Sequence, residues 1–305
     1  GRRANCTSGA GCTSSSYSTL ATWTVNAQPT GPSGGTKSPN LTNTCQGTNV
    51  SLASTTAGTG GFGCTDDYRW LIDGTPQGAY TLGSSVGSGA TAGQVITIEG
   101  RRSGCTAGAG CTGTSYTTLA TWTVNPQPTG PSGGTKSPNV SNICTGTTVS
   151  LSGTTPGADG FGCSDDYIWL INGSSQGAYT LGSSVGGSAT AGQVITIQGR
   201  RNNCTSGSGC TGTSYTTLAT WTVNAQPVSG TLTKTPNTSS VCEGNNVSAT
   251  ATAGSGGAGT IVDELDYRTD DGTGFTAWTA YTSGTNIPTT GLVTTSGAGV
   301  FISAG

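Results

Sequence analysis

Apolar and polar residues alternate along this chain in short runs bounded by Gly, Asn and Ser. In SYTTLATWTVN at 115–125, Ala120, Trp122 and Val124 fall on one side and Thr121 and Thr123 on the other, the period-two spacing of a half-buried strand. From the Pro-rich joint QPTGPSGG at 127–134, a strand leads into Ser137-Pro138-Asn139. The run CTGTTVSLS then sets Val149 and Leu151 on one face. DYIWLING, a turn-rich middle, GQVITIQGRR, a Cys-bounded turn and a second SYTTLATWTVN complete the unit. No window carries helical spacing of any length.

The unit recurs. Cys6, Cys105 and Cys204 are equivalent, as are Trp23, Trp122 and Trp221, and Tyr68, Tyr167 and Tyr267, at a period of about 99 residues. The first two full units are roughly three-quarters identical, and the third diverges after Pro227. A period this long is that of a small domain rather than a solenoid repeat. Short strands at regular spacing predict an all-β chain of tandem immunoglobulin-like sandwiches, beads on a string, with Trp70 and Trp169 as core aromatics of a central strand. A carbohydrate-binding jelly roll is the alternative architecture. In this frame 1–27 is the closing strand of a domain, 28–126 and 127–225 are whole domains, and 226–305 is a divergent domain without its last strand, because GVFISAG aligns with GQVITIEG. Either the stretch is part of a longer array, or 1–27 of one copy closes 226–305 of the next by strand complementation. A head-to-tail contact of that kind builds a fibre.

Composition sharpens the picture in three respects. Only 31% of residues are apolar and 8% charged, with 53 Gly, so each domain has a thin core and needs further stabilisation. The complete absence of His removes the commonest general base and metal imidazole, and His-based triads with it; the chain reads as a non-enzyme with no cofactor. A net charge of −2 with no basic run beyond the Arg pairs argues against nucleic acid. No apolar stretch is long enough for a membrane span, and no leader opens the chain, which is read as part of a longer precursor.

The eleven cysteines are disulfide candidates: Cys6 and Cys12; Cys45, Cys64, Cys105 and Cys111; Cys144, Cys163, Cys204 and Cys210; and Cys242. Without catalytic partners they point to disulfides and an oxidising, extracellular compartment. The C-x5-C spacing disfavours a zinc knuckle. Within each set of four, three connectivities are open. An obligate Cys45–Cys64 bond would orphan Cys242; a partner for it in the closing segment would be Cys6 or Cys12 of a neighbouring copy.

Other candidates for chemistry are sparse. Asp66-Asp67 and Asp165-Asp166 point to opposite faces of a strand and so do not converge as an acid/base pair, and no spaced acidic run suits Ca²⁺. They read as a solvated strand start. The pairs Arg2-Arg3, Arg101-Arg102 and Arg200-Arg201 suit ion pairs with Glu99, Asp66 or Asp67 better than ligand recognition. Lys37, Lys136 and Lys234 lie in a solvent-like turn, a poor setting for a Lys–Asn isopeptide crosslink. Trp23, Trp122 and Trp221 fall at core positions of a strand. Phe275, Trp278 and Tyr281, in TGFTAWTAYTSG, form a candidate exposed ligand contact. Sequons such as those at Asn40, Asn49, Asn139 and Asn237 discriminate little.

The phrases ATWTVNPQPTGP, NICTGTTVSL, VCEGNNVSATATAGSGG and TIEGRRSGCTAGAGC resemble the tandem immunoglobulin-like repeats of giant secreted surface proteins of Bacteroidota, including gliding-motility adhesins. That resemblance implies export through the type IX system and display on the cell surface in adhesin stalks or filaments. It transfers no catalytic residue. The expected function is a structural segment of an extracellular filament or adhesin, whose partners are copies of itself or flanking repeats; the contrasting class is a module that binds surface glycans.

Overall fold

A computed structural model describes residues 2–5, 7–13, 15–271, 274–292 and 299–304. Among them there is no helix: the chain is all-β, its sheets packed as sandwiches. It divides into two compact units. One comprises residues 1–127 with 159–162 and 204–211; the other holds the remainder.

In the first unit seven strands form, β1 (Thr36–Ser38), β2 (Asn43–Cys45), β3 (Ser51–Ala53), β4 (Thr65–Ile72), β5 (Thr75–Ala79), β6 (Val95–Ser103) and β7 (Thr117–Asn125). A five-stranded sheet runs β2-β7-β6-β4-β5, and β1 pairs with β3 as a small opposing sheet. All pairings are antiparallel except β2 with β7, which is parallel. Asp73-Gly74 closes the β4–β5 hairpin with both residues at positive φ (48° and 75°), the requirement of a type I′ turn. The alternation expected of the closing strand is observed: Ala120, Trp122 and Val124 are buried and Thr121 and Thr123 exposed. Trp122 is fully buried at the centre of a cluster with Val50, Leu52, Tyr80, Ile96 and Ile98. The Tyr80 hydroxyl accepts from Leu52 N (2.7 Å) and lies 3.0 Å from the carbonyls of both Leu52 and Ser84, tying the loop after β5 to β3.

The second unit repeats this plan with β8 (Thr135–Ser137), β9 (Asn142–Cys144), β10 (Ser150–Ser152), β11 (Ser164–Ile171), β12 (Ser174–Ala178), β13 (Val194–Asn202) and β14 (Thr216–Asn224), in the sheet order β12-β11-β13-β14-β9 with β10 against β8. Val149 and Leu151 share the buried face as expected, and Trp221 takes the place of Trp122. The third repeat follows with β15 (Thr231–Thr235), β16 (Asn246–Thr252), β17 (Leu265–Asp270), β18 (Thr279–Ala280), β19 (Ile287–Pro288) and β20 (Gly299–Ala304), in two sheets, β15-β16-β19 and β18-β17-β20. Strand β20 pairs with β17 as β6 pairs with β4, and no described strand lies on its other side. Among the described residues, Ala249, Tyr281 and Ile287 are buried in that core.

Two expectations for the tryptophans change. Trp70 and Trp169 are half-buried rather than central: they flank the cores, because β4 and β11 lie two strands away from β7 and β14, and the covering pairs β1–β3 and β8–β10 are only three residues long per strand. Trp23 is not core. Residues 19–26 have the sequence of a closing strand but lie outside every described strand, and Trp23 is 82% exposed where Trp122 is 0%.

Candidate functional site: a clasp closed by Cys45 and Cys210

The feature of the first unit that simple strand pairing does not explain is a disulfide between Cys45, at the end of β2, and Cys210, in the C-x5-C turn of the following repeat, 165 positions later. Around it a set of hydrogen bonds assembles. Cys45 N donates to Ser208 O (2.8 Å), and Thr48 Oγ1 lies 2.6 Å from Cys45 O and 3.3 Å from Ser208 O. Gln127 in the joint spans both sides: its Nε2 reaches Gln46 O (2.6 Å) and Gly209 O (3.2 Å), while its Oε1 accepts from Thr211 N (2.9 Å). Ser208 is buried. Gly209, at φ 72°, lies so close to Thr48 that a Cβ there would collide with the Thr48 side chain. The site is a covalently locked, hydrogen-bonded clasp with no free nucleophile or acid at its centre.

The other disulfide of this unit, Cys64–Cys105, spans 41 positions within one repeat. Cys163 and Cys204, their equivalents, are also disulfide-bonded. Each repeat's four cysteines are therefore not a closed set, as all three connectivities assumed. The bond from Cys45, at the end of β2 beside the joint, leaves its own repeat, and the sulfur of Cys111 accepts instead from Phe62 N. Cys12, Cys111, Cys144 and Cys242 are free thiols, and Cys6 lies outside the described residues.

The Asp and Arg pairs meet across β4 and β6. Register sets Asp66 opposite Arg102 and Asp67 opposite Arg101, and ion pairs form at 3.0 and 2.9 Å. The second unit repeats them as Asp165–Arg201 and Asp166–Arg200. Glu99 pairs instead with Arg69, its own cross-strand neighbour. Asp66 is not a solvated strand start: it also accepts from Gly58 N (2.8 Å), as Asp165 does from Gly157 N and Asp263 from Gly254 N. Burial pushes the Asp67 carboxyl up, but the hydrogen bonds of Arg101 and Ser103 and the Arg101 charge outweigh it and hold the group below its ordinary range.

The lysines are not in a solvent-like turn. Lys37 lies on β1 with its Nζ 4.7 Å from the Trp122 ring centre, donating to Thr121 O at 2.7 Å; Lys136 does the same to Trp221 and Thr220 O. Burial pulls the Lys37 ammonium below its usual value. Each lysine pins the closing strand of its repeat. Lys234, exposed, donates to Thr238 O, four residues along the chain.

The structure separates the three aromatics proposed as a ligand contact. Tyr281 is buried and its hydroxyl serves β16 and Thr285 as Tyr80 serves β3 and Ser84. Phe275 and Trp278 are about half exposed, with the Arg268 guanidinium over both rings at 3.8 and 4.5 Å. The sequon asparagines Asn40, Asn49, Asn139 and Asn237 are exposed.

Among the described residues no three His, Cys, Asp or Glu side chains gather as a metal site, and no helix is long and apolar enough to cross a membrane. The disulfides fit an oxidising, extracellular environment. Compared with known proteins, the chain matches no family model and no curated protein.

Proposed function

We propose that this chain is a structural segment of an extracellular, cell-surface filament or adhesin stalk, built from tandem immunoglobulin-like sandwiches that join head to tail. The observation that carries the reading is the Cys45–Cys210 clasp: a covalent bond and a shared set of hydrogen bonds spent on linking one repeat to the next. Partly buried ion pairs and pinned lysines serve to hold strands together. The resemblance to Bacteroidota surface repeats supports export by the type IX route. Electron microscopy of native material is the test: fibres with an axial spacing set by the repeat are expected, and discrete globular particles would overturn the proposal.

The glycan-binding alternative draws on Phe275 and Trp278, whose rings are half exposed. The Arg268 guanidinium already covers one face of each ring. On a glycan array, no binding that depends on Trp278 is expected; binding lost on Trp278→Ala would favour the alternative.

A further inference from the structure

One asparagine returns at the same place in all three repeats. Asn40, Asn139 and Asn237 lie in KSPNLTNTC, KSPNVSNIC and KTPNTSSVC, each the second residue past the first strand of its repeat, in an irregular loop. All three are exposed, and their side-chain amides make no hydrogen bond among the described residues. The backbone around them is held. Trp122 Nε1 donates to Pro39 O (2.9 Å) and Thr123 N to Thr42 O (2.9 Å); Trp221 and Thr222 repeat the pair on Pro138 O (3.0 Å) and Ser141 O (2.8 Å). In both complete repeats the amide is thus presented to solvent from a fixed turn.

The residue two places on carries the argument further. The middle residue changes from Leu to Val to Thr, yet Thr42, Ser141 and Ser239 all keep a hydroxyl. Packing supplies no common reason for it: Thr42 Oγ1 accepts from Asn43 Nδ2 (3.0 Å), whereas the Ser141 and Ser239 side chains make no hydrogen bond among the described residues. An asparagine needed only to form the turn would not fix a hydroxyl there; an acceptor for sugar transfer needs both. The other sequons lack this recurrence. The position of Asn49 and Asn246 is Thr148 in the second repeat, and that of Asn5 and Asn203 is Gly104 in the first. Asn172 has structural work instead, accepting from Val194 N (2.8 Å) as its equivalent Asp73 does from Val95 N.

We propose that Asn40, Asn139 and Asn237 are N-glycosylated, one sugar chain to each repeat. The chain supplies the acceptor and a cellular transferase supplies a sugar carried as a diphosphate ester. The asparagine Nδ2 forms a bond to the anomeric carbon, the bond from that carbon to the phosphate oxygen breaks, the diphosphate leaves with the electron pair, and the amide gives up one proton; nothing is oxidised or reduced. In the first unit the sugar borders the clasp, since a Cβ on Gly207, in the turn that carries Cys210, would lie 3.9 Å from the Pro39 ring. With 8% charged residues and a net charge of −2, the protein has little repulsion of its own against lateral association, and a bulky, hydrated coat provides it.

This inference rests on the extracellular reading above, and its test is separable from the micrograph. Native protein is digested, and its peptides are sequenced by mass spectrometry with fragmentation that keeps a sugar on its residue. The peptides holding Asn40, Asn139 and Asn237 are expected to carry a sugar increment on the asparagine, and that of Asn172 none. Ser141→Ala, made in the producing organism, is expected to abolish the increment on Asn139 and leave those on Asn40 and Asn237, with the melting temperature of the deglycosylated protein unchanged; Ser141→Thr is expected to keep it. A bare asparagine at any of the three positions, sugars confined to Ser and Thr hydroxyls, equal occupancy at Asn172, or an increment on Asn139 that survives Ser141→Ala would each overturn the inference. Fibres whose asparagines are bare would leave the filament reading standing and remove this one alone, and glycosylated particles that form no fibre would do the reverse.

Discussion

At the residue scale, the side chains that matter are those whose polar atoms are both hidden and paired. The Tyr80 hydroxyl answers a buried N–H of β3 and a carbonyl in the following loop. Tyr80→Phe leaves those groups without a partner, which costs about 1–3 kcal/mol; thermal denaturation should show it, and an unchanged midpoint would remove Tyr80 from the account. Asp67 makes a pH prediction. Its folded pKa lies below its unfolded value, so its contribution is present above the ordinary Asp value of about 3.9 and is lost as pH falls through the folded value. The melting temperature of the wild type should therefore be flat near neutrality and fall in acid, and Asp67→Asn should lessen the acid-side slope. More than a third of the Asp67 side chain is exposed, so the effect is small. These residues were only partly legible in the sequence. That the Arg pairs would meet carboxylates could be read, but which acid each takes could not, because that depends on the register of β4 against β6. The role of Lys37 could not, because nothing in GGTKSP says that its ammonium ends over Trp122, on a strand 84 positions away.

At the element scale, the closing strand decides the fate of each repeat, and one sequence occurs in two states that make a controlled comparison. TLATWTVN is β7 in one place and an unpaired segment near the start of the chain in another. Trp122→Ala empties the centre of the core and should cost about 3–5 kcal/mol, measured by denaturant unfolding. Alternation predicted which residues of the strand face inward, and did so correctly for Ala120, Trp122 and Val124. It was silent on whether the strand has a sheet to join: period two specifies a face, whereas pairing depends on partners distant in sequence. The same limit misplaced Trp70 and Trp169, whose inward direction was legible but whose distance from the covering strands was not.

At the scale of the whole chain, the clasp sets how far the molecule extends under load. Sequence alone could not reveal it, since cysteine spacing does not fix connectivity and the bond crosses a repeat boundary. In the chain-entropy account a loop of 165 residues is worth about 5 kcal/mol of stabilisation, against about 4 for the 41-residue loop from Cys64 to Cys105. The mechanical consequence is larger than the thermodynamic one. Cys64, Cys105, Cys163 and Cys204 all lie between Cys45 and Cys210, so tension applied at the chain ends bypasses everything between those two sulfurs, including β7 and β13. Stretched singly by its ends, the oxidised chain should yield only the residues outside the loop. Cys45→Ser, or reduction, should release further extension as the shielded residues unravel. With all disulfides reduced, the gain should approach about 560 Å, from 165 residues at about 3.4 Å each. In Cys45→Ser with the inner disulfides kept, the gain should be shorter by the segments those bonds hold closed. A force curve with the same contour length before and after reduction would show that the bond bears no load, and with it would go the view that the clasp exists to keep a filament from being pulled apart.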